Sequence, residues 1–220
     1  YGEIVISGVH LGEYGKDLEQ DVDLTGLIKK IASADIDCRI RLSSIEPQDV
    51  TERLIEIVAT EDRFCNHLHL PIQSGADDVL DRMQRNYDRE YIYDLAETCR
   101  EYDPDFALNT DVIVGFPGET DEDFQRTREV LEDIVFSRLH VFRYSERPGT
   151  TAAKMDDQVH SKVRKERCKD LIELGEQLEN QFASRFEGRR DTVLVEDQQV
   201  EGEPVGYTGY YLPARVSGNV

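Results

Sequence analysis

The sequence predicts an α/β protein built on a parallel sheet. Five short β-branched or alternating runs occur, at Glu3–Ser7, Arg39–Ser43, His67–Leu70, Asp111–Val114 and Leu139–Phe142. Stretches of helical periodicity separate them, giving the order βαβαβαβαβ. Each run is followed by Gly, Pro or small polar residues. Alternation of this kind implies parallel strands joined by right-handed crossovers. The residues leave open whether the sheet closes into part of a barrel. In either case ligands gather at the carboxyl ends of the strands.

The elements follow in order. Glu3-Ile-Val-Ile-Ser7 is a β-branched run stopped at Gly8. Leu24, Leu27, Ile28 and Ile31 recur at helical spacing and predict a helix over 22–33. Arg39–Ser43 alternates and is stopped by Pro47; Val50, Leu54, Ile57 and Val58 mark the helix behind it. The third strand is stopped by Pro71, and helices are predicted over 76–85 and 88–102. Asp111 opens the fourth strand, which Gly115 and Pro117 stop. Thr120 then caps a helix whose first turn is acidic, with Phe124, Val130, Leu131 and Ile134 on its apolar side. After the fifth strand the pattern changes. Ser161 is expected to cap a long helix over 161–187, seamed by Cys168, Leu171, Gly175, Leu178, Phe182 and Phe186. From Thr192 the chain turns β-like, over Thr192–Glu196 and Gly206–Leu212, as the opening of a small β-barrel. About 30 such residues are too few for a stable barrel alone.

Composition narrows the function. The 220 residues carry a formal net charge of −20, which opposes nonspecific nucleic-acid binding. The only net-basic stretch is 161–190, with 8 Lys+Arg against 6 Asp+Glu. Arginine outnumbers lysine 19 to 7, and acid excess with few lysines is one mark of a high-salt cell. No apolar run approaches the ~20 residues a bilayer helix needs. Nothing at the start reads as a signal peptide, and without an initiator Met the sequence is expected to be a fragment of a longer chain. Cys38, Cys65, Cys99 and Cys168 lack metal-ligand spacing and read as reduced, packed thiols in a cytoplasmic protein.

Five strand-end segments share one composition: Gly8–Gly15, Ser43–Pro47, Pro71–Gly75, Gly115–Thr120 and Tyr144–Gly149. Five such loops at one end of a sheet point to a shared polar site. The Gly115–Thr120 turn into a helix can present backbone N–H groups to a ligand, but lacks the lysine of a phosphate-binding loop. His10 lies in the first of these loops, and Gln73 and Ser74 offer neutral hydrogen bonds suited to a ribose or amide. Glu46 can meet an amine or arginine, and Arg143 and Arg147 a carboxylate or phosphate. His67 and His69 share a strand face without an evident third ligand, so packing or hydrogen bonding is expected over metal.

Taken together, His67-Leu-His-Leu-Pro-Ile-Gln-Ser-Gly75, Asp111-Val-Ile-Val-Gly-Phe-Pro-Gly-Glu-Thr120 and Tyr144-Ser-Glu-Arg-Pro-Gly-Thr150 resemble the radical S-adenosylmethionine methylthiotransferases. The resemblance runs from about residue 3 to about residue 216. Ser7–Gly15 and Arg41–Pro47 look most like the branch that methylthiolates threonylcarbamoyladenosine next to the anticodon of tRNA. The resemblance implies a partial (β/α)6 TIM-like barrel lacking its first strand, followed by a truncated small β-barrel, the TRAM domain. It divides the chain into barrel over 1–160, a long connecting helix packed on the barrel over 161–188, and the start of TRAM over 189–220. It implies S-adenosylmethionine and two 4Fe-4S clusters in the full-length protein. The cluster ligands, a C-x3-C-x2-C run and three further cysteines, match nothing here, so the fragment alone is expected to bind no cluster and to be inactive.

Several residue roles follow from the resemblance. The cofactor would meet Gly8 and His10 near its amino-acid part, Gln73 near its ribose, and Val112, Ile113 and Gly115 around its adenine. Phe142 and Tyr144 would close the pocket, with Ser44 and Glu46 touching cofactor or substrate. Arg185, Arg189 and Arg190 are the expected tRNA-phosphate contacts. Two other functions are kept open: the same chemistry on a ribosomal protein, which an acidic surface suits, and a non-catalytic nucleotide- or tRNA-binding relative.

Overall fold

The computed structural model describes residues 1–19 and 22–217. Its elements run β1 (Glu3–Ile6), α1 (Leu24–Ala32), β2 (Arg39–Leu42), α2 (Glu52–Thr60), β3 (His67–His69), α3 (Asp77–Arg82), α4 (Arg89–Tyr102), β4 (Ala107–Val114), α5 (Asp121–Ile134), β5 (Arg138–Arg143), α6 (Ser161–Ser184), β6 (Leu194–Val200), β7 (Glu203–Tyr207) and β8 (Pro213–Arg215). The alternation the sequence predicts is therefore present. The chain divides into two compact units. One comprises Tyr1–His69, Thr98–Ala107 and Ala183–Val220; the other Leu70–Glu97 and Leu108–Phe182. No helix among the described residues is long and apolar enough to cross a membrane.

In the first unit β1 and β2 are parallel, with Glu3 opposite Arg39 and Ile6 opposite Leu42. Parallel bridges Ile40–Phe64 and Ser44–His69 continue the pairing toward β3. Asp23 and Thr51 cap α1 and α2 by accepting from the Gly26 and Leu54 backbone N–H groups. Their hidden faces supply Ile28, Leu54, Ile55 and Val58 to a core shared with Ile40 and Leu42.

The same unit holds the antiparallel sheet β6-β7-β8. This is the architecture expected for the opening of a small β-barrel. The strand boundaries differ from the sequence expectation. Glu201 and Gly202 both have positive φ, so the chain reverses in two residues and β7 resumes at Glu203 rather than at Gly206. Residues 208–212, expected as strand, form a turn in which Thr208 Oγ1 accepts from the Tyr210 and Leu212 backbone N–H groups, both at 3.2 Å.

A buried polar cluster ties this turn to β1 and β2. The Glu3 carboxylate accepts from Arg39 and from Arg41 Nε and Nη2, the latter two at 3.1 Å. Arg41 also donates to the Thr208 and Gly209 carbonyls at 3.1 and 3.3 Å and lies 4.6 Å from the centre of the Tyr211 ring. Tyr211 stacks on Tyr207 at 4.7 Å.

In the second unit β4 and β5 are parallel, Asn109 opposite Arg138 through Val114 opposite Arg143. β4 begins four residues before the expected Asp111, which sits mid-strand. The preceding Ala107-Leu-Asn-Thr110 is fully buried, and burial overrides the polar character of Asn109 and Thr110. Thr120 caps α5, as the sequence predicts, and it also closes a capping box with Asp123. α6 ends at Ser184, three residues early. It starts at 161 as expected, but Ser161 is its first helical residue rather than its cap, and His160 Nδ1 accepts from the Lys162 N–H at 3.2 Å.

Candidate functional site

The carboxyl ends of the strands gather loops in each unit. In the first, the Ser43 N–H donates to the Ile6 carbonyl at 2.9 Å, which places the loops after β1 and β2 side by side. Gly8 and His10 lie on one; Ser44 and Glu46 lie on the other, followed by a single 3-10 turn at Pro47–Asp49. His10 Nε2 approaches Asp49 Oδ2 at 2.8 Å, joining the two loops. His10, Glu13 and Asp49 are the group of three with metal-holding geometry among the described residues. The Lys16 ammonium already sits in it, 2.5 Å from Glu13 and 3.9 Å from Asp49.

In the second unit Gln73 bridges Val112 of β4, one residue before Ile113. Gln73 occupies left-handed backbone, φ 65°, and is stapled to β4: its N–H donates to the Asp111 carbonyl and its carbonyl accepts the Ile113 N–H, both at 2.9 Å. Ile113 is in turn opposite Phe142 on β5, whose ring is half exposed. The loop carrying Gln73 leaves α5 no room to spare. Ser74 Oγ and the Gly75 N–H meet Thr127 Oγ1 at 3.1 and 3.0 Å, and a Cβ on Gly75 would lie 2.8 Å from Thr127 Cα. Only glycine fits there.

Gly115 follows β4 with φ 72°, and its N–H donates to Glu119 Oε1 at 2.9 Å. Burial pushes the Glu119 carboxyl up, against the pull of that N–H and of the Arg167 guanidinium. The Tyr144 N–H donates to the Val114 carbonyl at 2.9 Å, so the loop after β5 starts beside the Gly115 turn. The Tyr144 ring meets Phe116 edge-on at 5.3 Å. A cavity of about 540 Å³ adjoins this end of β5, lined by Phe142, Arg143, Tyr144, Ser161 and Arg164 among others. This segment carries the Gln73 amide and, on the neighbouring strands, the partly exposed apolar side chains of Ile113 and Phe142. That chemistry suits a flat, neutral, polar molecule such as a nucleoside.

The remaining candidates lie elsewhere. His67 is fully buried with neither ring nitrogen hydrogen-bonded, and packs 5.0 Å from Tyr211. Burial holds it well below the usual imidazole range, with Arg41 and His69 adding to the effect. Packing, the role favoured from sequence, is the role it has. Arg189 bonds Asp105 and lies over Phe186, Arg185 sits near Arg100, and Arg190 is exposed.

Burial pushes the Cys65 and Cys99 thiols up to about 11 and about 12, as for packed neutral thiols. The parts sequence reasoning missed are Arg164, Arg167 and Thr127. They hold the loops from behind, and no local pattern pairs a helix residue with a turn roughly 50 positions earlier.

A parallel α/β scaffold with its polar loops at the strand ends defines a class of nucleotide- and cofactor-binding proteins. Residues 3–131 match the Radical SAM superfamily, and the chain belongs to it. It is 44% identical over 219 residues to the threonylcarbamoyladenosine tRNA methylthiotransferase MtaB of Thermotoga maritima, covering 100% of this chain and 50% of that protein. It is 38% identical over 196 residues to a tRNA-2-methylthio-N(6)-dimethylallyladenosine synthase of Clostridium botulinum, covering 89% of this chain and 44% of that protein. The chain thus spans about half the length of the curated relatives it matches. Among solved structures, the radical SAM enzyme coproporphyrinogen III oxidase of Escherichia coli aligns with a TM-score of 0.55 at 24% identity, covering 69% of this chain and 36% of that one. That likeness shows a shared fold.

Proposed function

We propose that this chain is the central part of a cytoplasmic tRNA-modifying enzyme. The whole enzyme inserts a methylthio group at carbon 2 of threonylcarbamoyladenosine next to the anticodon, using S-adenosylmethionine and two 4Fe-4S clusters. The observation that carries the reading is the bridge of Gln73 to Val112 and the pairing of Ile113 with Phe142 one residue further on, beside the Gly115 turn, in a chain 44% identical throughout to an enzyme of that name. In this reading Gln73 meets the cofactor ribose. Ile113 and Gly115 border its adenine, and Phe142 and Tyr144 close over it. Gly8 and His10 face its amino-acid part, while Ser44 and Glu46 lie toward cofactor or substrate. The cofactors supply the hydrogen abstraction, the sulfur and the methyl group; these side chains bind and orient. No step is assigned to the cysteines of this chain.

Residues 1–160 form the partial barrel, 161–188 the connecting helix and 189–220 the start of TRAM. Of the three proposed phosphate contacts Arg189 and Arg190 are exposed, and Arg189 is also bonded to Asp105. The charge of −20 favours a second reading, a basic ribosomal protein as substrate.

Mass spectrometry of tRNA nucleosides from cells lacking the parent gene separates these. Loss of the methylthio group from threonylcarbamoyladenosine alone supports the tRNA reading. Unchanged nucleosides, in a strain with no second copy, refute it and move the search to ribosomal proteins.

A further inference from the structure

Two arginines one turn apart on α6 reach the loops that follow β4 and β5. Arg167 Nη1 donates to Glu119 Oε1 at 2.5 Å and to the Glu119 carbonyl at 3.2 Å; Nη2 donates to Asp121 Oδ1 at 2.6 Å. Its guanidinium also lies 5.4 Å from the centre of the Phe124 ring. The Glu119 oxygen that takes Arg167 is the one that takes the Gly115 N–H. A single buried hydrogen-bonded chain therefore runs from the turn after β4 to the helix. Arg164 completes the hold. Its Nη1 donates to the Tyr144 carbonyl at 2.8 Å, and its methylenes press on Gly115 so closely that a Cβ there would strike Arg164 Cγ.

The side chains of Arg167 and Glu119 are 7% and 3% exposed. A buried pair of this kind is a poor source of stability, because desolvation cancels much of its attraction. What a planar guanidinium with several fixed donors supplies is geometry. Both loops that it and Arg164 hold carry residues of the proposed cofactor site, Gly115 and Tyr144, and the hydrogen bonds of the two arginines go to those loops and to the start of α5.

We infer that Arg167, together with Arg164, is a positioning residue for S-adenosylmethionine. Through Glu119 it fixes the Gly115–Thr120 turn, and through Arg164 α6 fixes the start of the Tyr144 loop, in the conformation that receives the adenine. The inference rests on the reading that these strand-end residues bind the cofactor.

The test uses the full-length, cluster-loaded enzyme. Two quantities are measured in R167M, R167K and the control L174A: the S-adenosylmethionine dissociation constant by equilibrium dialysis, and amide hydrogen exchange over residues 114–120. Leu174 is buried on the same helix but bonds neither loop, so L174A reports general loosening of α6. R167M is expected to weaken binding by about ten-fold or more, since small displacements of binding groups are costly. It should also speed exchange over 114–120. L174A is expected to lower the melting temperature while keeping affinity within about two-fold, as for an independent site. If R167M does not fold, R167K decides, because it keeps the charge but loses the fork. It should melt near the wild type and still bind more weakly. Unchanged exchange and affinity in a folded Arg167 variant overturns the inference alone, as does an equal loss of affinity in L174A. A wild-type enzyme that binds no S-adenosylmethionine overturns the cofactor reading, and the inference with it.

Discussion

His67 makes the stability of this protein depend on pH in one direction. The ring is fully buried, both nitrogens lack partners, and Arg41, Tyr211 and His69 are its charged and titratable neighbours. Burial comes first in keeping the ring neutral, and the Arg41 charge second. In the unfolded chain the same ring titrates near its ordinary value of 6.5. Below that pH the unfolded state binds a proton that the folded state refuses, so stability falls as pH falls. The contribution is complete above the unfolded value and is lost progressively beneath it. One proton corresponds to about 1.4 kcal/mol per pH unit, so a descent to pH 5 removes between about 1 and 2 kcal/mol. His67→Phe keeps a ring against Tyr211 and abolishes the titration. Urea unfolding at several pH values between 5 and 8 should give curves that diverge below 6.5, the variant holding its stability better. A His67 ring that titrates near 6.5 by NMR, or parallel curves for the two proteins, would refute the reasoning.

Three further outcomes are expected. Arg41→Met leaves Glu3 half-paired and frees the Thr208 and Gly209 carbonyls, and should cost about 3 kcal/mol in chemical denaturation. Thr120→Ala breaks the capping box and should cost about 1 kcal/mol, with faster amide exchange in the first turn of α5 as the local signature. Gly115→Ala forces a Cβ onto Arg164 at positive φ; it should cost about 1 to 3 kcal/mol and weaken S-adenosylmethionine binding measured by dialysis.

The local rules of the chain were legible wherever a single segment determined its own conformation. The acids after Thr120 announce a helix because they complement its dipole, and the capping box forms there. The β-branched residues of β1 and the alternation of β2 need no distant partner to be recognised. The errors fall where tertiary contact outweighs propensity. Asn109 and Thr110 read as loop residues, yet they are interior to β4 because Asn109 Oδ1 accepts from Ser137 Oγ at 2.8 Å and Thr110 Oγ1 accepts from the Ile72 N–H at 3.2 Å. Polar residues satisfied in this way carry no penalty for burial. Glu203, likewise, reads as a turn residue until the two positive-φ residues before it are known.

The site divides along the same line. Residues that face a ligand sit in recognisable motifs, because loop geometry at a strand end needs glycine, proline and small polar groups at fixed offsets. Residues that hold those loops come from anywhere in the chain. Arg167 appeared in the sequence only as one charge among eight in a basic helix, a segment expected to serve RNA. In the structure that charge is turned inward and spent on Glu119 and Asp121. The net positive balance of 161–190 therefore overstates the charge available to a phosphate. Arg167 is buried in an ion pair, Arg164 is mostly covered and bonded to Tyr144, and Arg189 is matched by Asp105. Arg190 is exposed and belongs to none of these pairs, so in the proposed tRNA reading it carries a phosphate contact of this segment. Charge reversal in the full-length R190E enzyme should then weaken tRNA binding by about three- to ten-fold in a filter-binding titration, and an unchanged affinity would take that contact off Arg190.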